Sequence, residues 1–109
     1  MNPTLSSFIS AKKINTFQKL RLLLLLHKNP HLDGTCQDFA RQLHLGHSFY
    51  LEDICVELEE VDLVVQVKDR YKLSDNPDIR QHLQDLAKAF DNPLTRQDIL
   101  RQIGVETNR

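Results

Sequence analysis

Apolar residues with a helical spacing run through most of the chain and predict a mainly α-helical protein. The leucine run Leu22–Leu26, extended by Leu20, predicts a buried helix that begins at residue 15 or 16 and ends near His27. Asn29-Pro30 then stops this helix. A membrane span needs about 18–20 apolar residues, so the run is far too short to cross a bilayer.

Two further helical patterns follow the leucine run. Thr35-Cys36-Gln37-Asp38 has the form of a capping box and opens a helix that Gly46 ends. Ser48 is the predicted cap of a third helix. The apolar stripe of that helix consists of Leu51, Ile54, Cys55, Leu58 and Val61.

The spacing then changes from helical to strand-like. Residues 63–67 and 71–73 predict two strands joined by a turn at residues 68–70, which form a β-hairpin. Pro77 predicts the start of a fourth helix, which Asn92-Pro93 ends, and the box-like sequence from Thr95 to Asp98 predicts a short last helix. The predicted fold is therefore mainly α with a small β-hairpin. Residues 1–13 form an arm or a short helix, residues 14–103 the domain with its C-terminal helices, and residues 104–109 a tail.

This order of elements resembles the winged helix-turn-helix of the MarR- and ArsR-like bacterial regulators. The resemblance covers roughly residues 16–90 and is carried by three segments: FARQLHL at 39–45, LEEVDLV at 58–64 and RYKLS at 70–74. Family members often read LEEKGLV at the second segment, so Val61-Asp62 replaces the usual Lys-Gly. The resemblance implies a cytoplasmic DNA-binding transcriptional regulator, with the third helix in the major groove and the hairpin as the wing. It also implies a homodimer built from the first and the C-terminal helices.

Charge is distributed unevenly along the chain. The formal net charge of −1 excludes a globally basic nucleic-acid-binding domain. No acidic residue precedes Asp33, whereas the first 32 residues contain five basic ones. In contrast, the segment from Tyr50 to Asp62 contains six acidic residues and no basic one. Such an asymmetry predicts two surfaces of opposite sign that select partners.

The acidic segment conflicts with simple DNA recognition. Matching the LEEVDLV segment to the family places Glu52, Asp53, Val56 and Glu57 at the groove-facing positions. A carboxylate about 4 Å from a phosphate meets a repulsion of roughly 1 kcal/mol in water and about 4 kcal/mol at a surface-like dielectric. Non-specific DNA binding is worth only about 5.5–8 kcal/mol in total. Two or three such contacts would therefore remove most of the binding free energy.

Two functions follow from this conflict. If the domain binds double-stranded DNA, the third helix lies shallowly on the duplex, and the contacts come from its N-terminal end, the wing and the N-terminal arm. The predicted DNA-binding residues are then His47, Ser48, Tyr50, Lys68, Arg70, Lys72, Lys12 and Lys13. The alternative is a winged-helix interaction module that binds a basic protein partner through its third helix. The residues predicted for this surface are Glu52, Asp53, Glu57, Glu59 and Glu60.

The leucines of the first long helix bear on oligomeric state. Leu20 and Leu22–Leu26 occupy an arc that we expect to be too wide for one small core. Part of that arc is then predicted to be buried against a second subunit or another protein.

Metal binding and catalysis find little support in the sequence. The candidate metal ligands are His27, His31, His44, His47, His82, Cys36 and Cys55. They form no C-x-x-C motif and no H-x-x-x-H motif on an unbroken helix, which are the spacings typical of metal sites. Both cysteines lie on predicted core faces and fit a reducing cytosol. Three isolated glycines cannot build a phosphate-binding loop, and no G-x-S-x-G is present. The sequence therefore predicts no cofactor, no metal and no enzymatic activity.

Overall fold

The computed structural model describes residues 3–43 and 49–104, except for the side chains of residues 49–51. Within these ranges the chain is mostly helical with a small antiparallel sheet, which confirms the coarse prediction. The elements in chain order are α1 (Pro3–Ala11), α2 (Phe17–Lys28), β1 (Asp33–Gly34), α3 (Cys36–Gln42), α4 (Phe49–Glu60), β2 (Val64–Val67), β3 (Arg70–Leu73), α5 (Pro77–Asp91) and α6 (Pro93–Gln102).

Short polar side chains fix the beginnings of the first long helices. The Thr16 hydroxyl accepts the backbone N–H of Lys19 at the start of α2. At the start of α3, the Thr35 hydroxyl accepts the Asp38 N–H and the Asp38 carboxylate accepts the Thr35 N–H. The predicted capping box is therefore confirmed. Helix α3 ends at Gln42 with Leu43 as its C-cap, before the predicted stop at Gly46, so that predicted end is wrong. Gly46 itself and the predicted cap at Ser48 lie outside the described residues.

One residue serves both C-terminal helices. Asn92 ends α5, and its side-chain oxygen accepts the Leu94 N–H at the start of α6, with Pro93 in the first turn. The prediction that Thr95 caps the last helix is wrong by three residues, because Asn92 is the N-cap. The Thr95 hydroxyl donates instead to the Ala89 carbonyl, because Asn92 already provides the cap.

The three strands form one antiparallel sheet in the order β1-β3-β2. Val64 pairs with Leu73 in the hairpin, and Asp33 of β1 pairs with Lys72. Gly34 brings β1 close to α3, since a Cβ at this position would lie 3.1 Å from the Asp38 Cβ. The predicted hairpin is confirmed, and the short β1 strand extends it on one side.

The core surrounds α2, which contacts α4, α5 and β3. Leu20, Leu22, Leu23 and Leu26 have no exposed surface in the single chain. The single chain therefore accounts for these four positions, because three elements pack around the helix. Leu24 and Leu25 are half-buried, so the burial of part of the arc against a second subunit and the homodimer stay predictions.

The N-terminal segment forms a helix that packs on the core. Leu5, Phe8 and Ile9 of α1 are buried, and the Phe8 ring stacks on His82 of α5. Two side chains join α1 to α6: Ser6 Oγ donates to Gln102 Oε1, and Gln102 Nε2 donates to the Ser6 carbonyl. Of the two predicted alternatives for residues 1–13, the structure contains the short helix.

Across residues 3–43 and 49–104, no helix combines the length and the apolar character that a membrane span requires.

Candidate functional site

Helix α4 divides its side chains between the core and the solvent. Ile54, Cys55 and Leu58 are buried against the core. The opposite side forms what we call the acidic face, which consists of Glu52, Asp53, Val56, Glu57 and Glu60, all exposed. These positions follow the period of one helical stripe. Glu59, which was predicted for the same surface, is half-buried beside it.

The C-terminal half of the acidic face is joined to a buried lysine. Lys19 is only 3% exposed, and its Nζ lies 2.7 Å from Glu57 Oε1. The same ammonium donates to the Lys13 carbonyl and to Asn15 Oδ1, each at 3.0 Å. All three ammonium hydrogens therefore have acceptors. This network links the α1–α2 junction to α4.

A second lysine reaches the end of α4. Lys12 Nζ donates to the Val61 carbonyl at 2.9 Å. The next residue, Asp62, has a φ of 66°, in the left-handed region that most side chains avoid. The MarR- and ArsR-like regulators, which the sequence resembles, often have glycine at this position. Aspartate tolerates the left-handed region better than most residues.

The N-terminal half of the acidic face has different surroundings. In the described ranges, neither Glu52 nor Asp53 has an ion pair or a side-chain hydrogen bond. Val56 follows them on the same stripe and is 48% exposed. This half therefore presents two carboxylates and an apolar contact to solvent.

A groove of about 480 Å³ lies beside this N-terminal half, and we call it the hairpin groove. It runs between α4, the start of α3 and the β2–β3 hairpin. Among the described residues, its lining contains two carboxylates and no basic residue: Thr35, Cys36, Gln37, Glu52, Val56, Gln66, Asp69 and Tyr71.

Two thiols lie close together at the groove: Cys36 is part of its lining, and Cys55 is buried. Burial raises the pKa of both thiols above the ordinary value. Thiols with raised pKa values stay protonated at neutral pH and make poor nucleophiles and metal ligands. Throughout residues 3–43 and 49–104, no group of three or more His, Cys, Asp or Glu side chains could hold a metal ion.

The hairpin cations differ in their availability. Arg70 donates to Asp33 Oδ1 through Nε at 3.2 Å and Nη2 at 3.1 Å, and the hydrogen bonds and charge of Asp33 raise the Arg70 pKa. Lys72 Nζ lies 3.7 Å from Asp75 Oδ2. Lys68, at the exposed turn, has no hydrogen bond or ion pair within the described part of the chain.

The structure distributes the predicted DNA-binding residues over separate places. Lys68, Arg70 and Lys72 lie on the hairpin, whereas Lys12 and Lys13 lie at the α1–α2 junction. Lys13 lines a small pocket there together with Glu57 and Glu60 of α4. The predicted contacts at His47, Ser48 and the Tyr50 side chain lie outside the described residues.

Two residues of these sites, Asp33 and Tyr71, were not predicted as site residues. Asp33 and Arg70 are 37 positions apart, and the pairing of β1 with β3 brings them together. Tyr71 lines the hairpin groove together with Glu52 of α4, 19 positions earlier, and no local pattern indicates this. Comparisons of the chain with protein-family models, with curated proteins and with solved structures gave no match.

Proposed function

We propose that this chain is a winged-helix module that binds a basic protein segment through the N-terminal half of the acidic face. The element order supports the winged-helix assignment, since a helix pair, α3 and α4, is followed directly by a hairpin. Asp62 supports it too, because its left-handed φ reproduces the backbone that the family glycine allows.

One observation carries the choice of partner. Glu52 and Asp53 are exposed and have no cationic neighbour among the described residues, while Val56 offers apolar contact beside them. Interfaces combine apolar contact with complementary charge, and exposed carboxylates attract a basic segment at long range. The N-terminal half of the acidic face, whose carboxylates are neutralised by no cation among the described residues, is therefore suited to binding a basic segment.

The same surface argues against duplex DNA. Phosphates that approach α4 would meet Glu52 and Asp53, and Arg70 of the wing already binds Asp33. DNA remains the second candidate because Lys68 is exposed at the hairpin turn, where a wing meets the backbone. Contacts through this lysine alone would give weak and strongly salt-dependent binding.

A titration with two labelled probes tests the proposal. Fluorescence anisotropy is measured with a 20-base-pair duplex and with a basic peptide of mixed Lys and Arg, each at 50 and 200 mM salt. We expect the wild-type protein to bind the peptide and to leave the duplex unbound at 200 mM salt. The double substitution Glu52→Gln with Asp53→Asn lowers peptide affinity about tenfold, because each surface ion pair is worth up to about 1 kcal/mol.

A charge-matched variant controls for net charge. Asp85→Asn with Asp91→Asn removes two exposed carboxylates from α5 and leaves the acidic face unchanged. This variant keeps wild-type peptide affinity if α4 is the docking surface. Tight duplex binding that Lys68→Ala abolishes would favour the DNA function instead.

A further inference from the structure

Tyr71 gives the hairpin groove a chemical feature that a merely acidic surface lacks. The residue lines the groove, yet only 8% of its surface is exposed. Its hydroxyl has no hydrogen-bond partner within residues 3–43 and 49–104. The ring packs in the core, whereas the hydroxyl lies near the surface of the groove, where a polar group supplied from outside can reach it.

Two carboxylates stand on different elements around this phenol. Glu52 comes from α4 and Asp69 from the hairpin turn, and both line the same groove. Neither has an ion-pair partner in the described part of the chain. Burial raises the pKa of Tyr71, and the charge of Glu52 adds to the effect, so the phenol stays neutral. The groove therefore offers hydrogen-bond acceptors together with negative charge.

We propose that the hairpin groove receives an arginine side chain of the basic segment that docks on α4. This inference rests on the proposed function and assigns the residue type that the partner inserts. A guanidinium carries five N–H donors in one plane, which suits two carboxylates and a phenolic oxygen that surround it. A lysine ammonium has three donors in a tetrahedral rather than a planar arrangement, so it satisfies fewer of these groups.

The test compares two labelled peptides, hexaarginine and hexalysine, by fluorescence anisotropy with the full chain. We expect hexaarginine to bind about five- to tenfold more tightly than hexalysine. Tyr71→Phe keeps the ring and removes only the hydroxyl, and it lowers hexaarginine affinity about fivefold with less than a twofold effect on hexalysine. Asp69→Asn, at the exposed turn, provides a second variant with the same expected preference.

Glu60→Gln is the control, because Glu60 belongs to the acidic face but does not line the groove. It lowers the affinity for both peptides by the same factor. Equal binding of the two peptides, unchanged by Tyr71→Phe and Asp69→Asn, would overturn the arginine site and leave docking on α4 intact. Failure of both peptides to bind would overturn the proposed function itself, and the arginine site with it.

Discussion

The two halves of the acidic face carry the same kind of side chain in different surroundings. In the C-terminal half, Glu57 lies 2.7 Å from the ammonium of Lys19, which is almost completely buried. In the N-terminal half, Glu52 and Asp53 have no such neighbour among the described residues. The comparison teaches that a run of acids is not one surface: some of its carboxylates compensate buried charge, and others are available to a partner.

The reason for the difference lies outside α4. A buried ammonium is costly unless opposite charge and hydrogen bonds surround it, so Lys19 requires Glu57, Asn15 and the Lys13 carbonyl together. An exposed carboxylate is well hydrated and needs no partner to be stable. Among the described residues, Glu52 and Asp53 therefore compensate no buried charge, and their carboxylates are available to bind a partner.

The largest expected effect on stability comes from removing the buried lysine that binds the C-terminal half of the acidic face. Lys19→Met keeps the apolar stem, removes three hydrogen bonds and leaves their acceptors unpaired. We expect the free energy of unfolding to fall by about 1–3 kcal/mol, measured by urea denaturation at pH 7. Glu57→Gln is the matched control and costs less, because the amide oxygen still accepts from Lys19. If both variants lowered the free energy of unfolding by the same amount, the hydrogen bonds of the buried Lys19 would not be what stabilises the C-terminal half of the acidic face.

Asp38, in the first turn of α3, gives a smaller, pH-dependent effect. Hydrogen bonds from Thr35 hold the pKa of Asp38 below its ordinary value, with Arg41 and Arg70 adding to the effect. A lowered folded-state pKa means that the carboxylate stabilises the fold above about pH 4 and stops doing so as the pH falls through the folded value.

Asp38→Asn isolates that charge, because the amide still offers an oxygen to the Thr35 N–H. We expect a lower Tm than wild type at pH 7 and a difference that shrinks as the pH falls through the lowered pKa of Asp38, measured by thermal unfolding from pH 7 into the acid range. A Tm difference that stays constant with pH would mean that the charge of Asp38 contributes nothing.

The smallest effect is expected from the N-terminal half of the acidic face. Glu52→Gln with Asp53→Asn should change the free energy of unfolding by no more than about 0.5 kcal/mol, since exposed side chains without partners contribute little to folding. Urea denaturation of the same protein used in the binding titration measures this. A loss above about 1 kcal/mol would place these carboxylates in a structural role and remove the contrast between the halves.

Local signals in the sequence account for much of the fold. The Thr35–Asp38 capping box, the hairpin and the start of α5 at Pro77 each depend on neighbouring residues, and the structure contains all three. The error at Thr95 has a local cause as well, because Asn92-Pro93 both stops one helix and starts the next.

Long-range packing accounts for what the sequence did not show. The charge run at residues 50–62 predicts an acidic helix, but only the folded chain brings Lys19 to Glu57 and Asp33 to Arg70. In the same way, the leucines of α2 indicate burial without telling how many elements surround them. The sequence therefore predicts that the candidate site is acidic. It does not predict which of the carboxylates pair with a buried cation and which are available to a partner.

The hydrogen bonds between Ser6 and Gln102 have a consequence for how the chain matures. These two residues are 96 positions apart, so Ser6 leaves the ribosome long before its partner is made. During that interval the apolar side of α1 also lacks α5, on which Phe8 later stacks. We expect α1 to dock late in folding, after the central helices have collapsed, so that its apolar side is exposed to aggregation in the meantime.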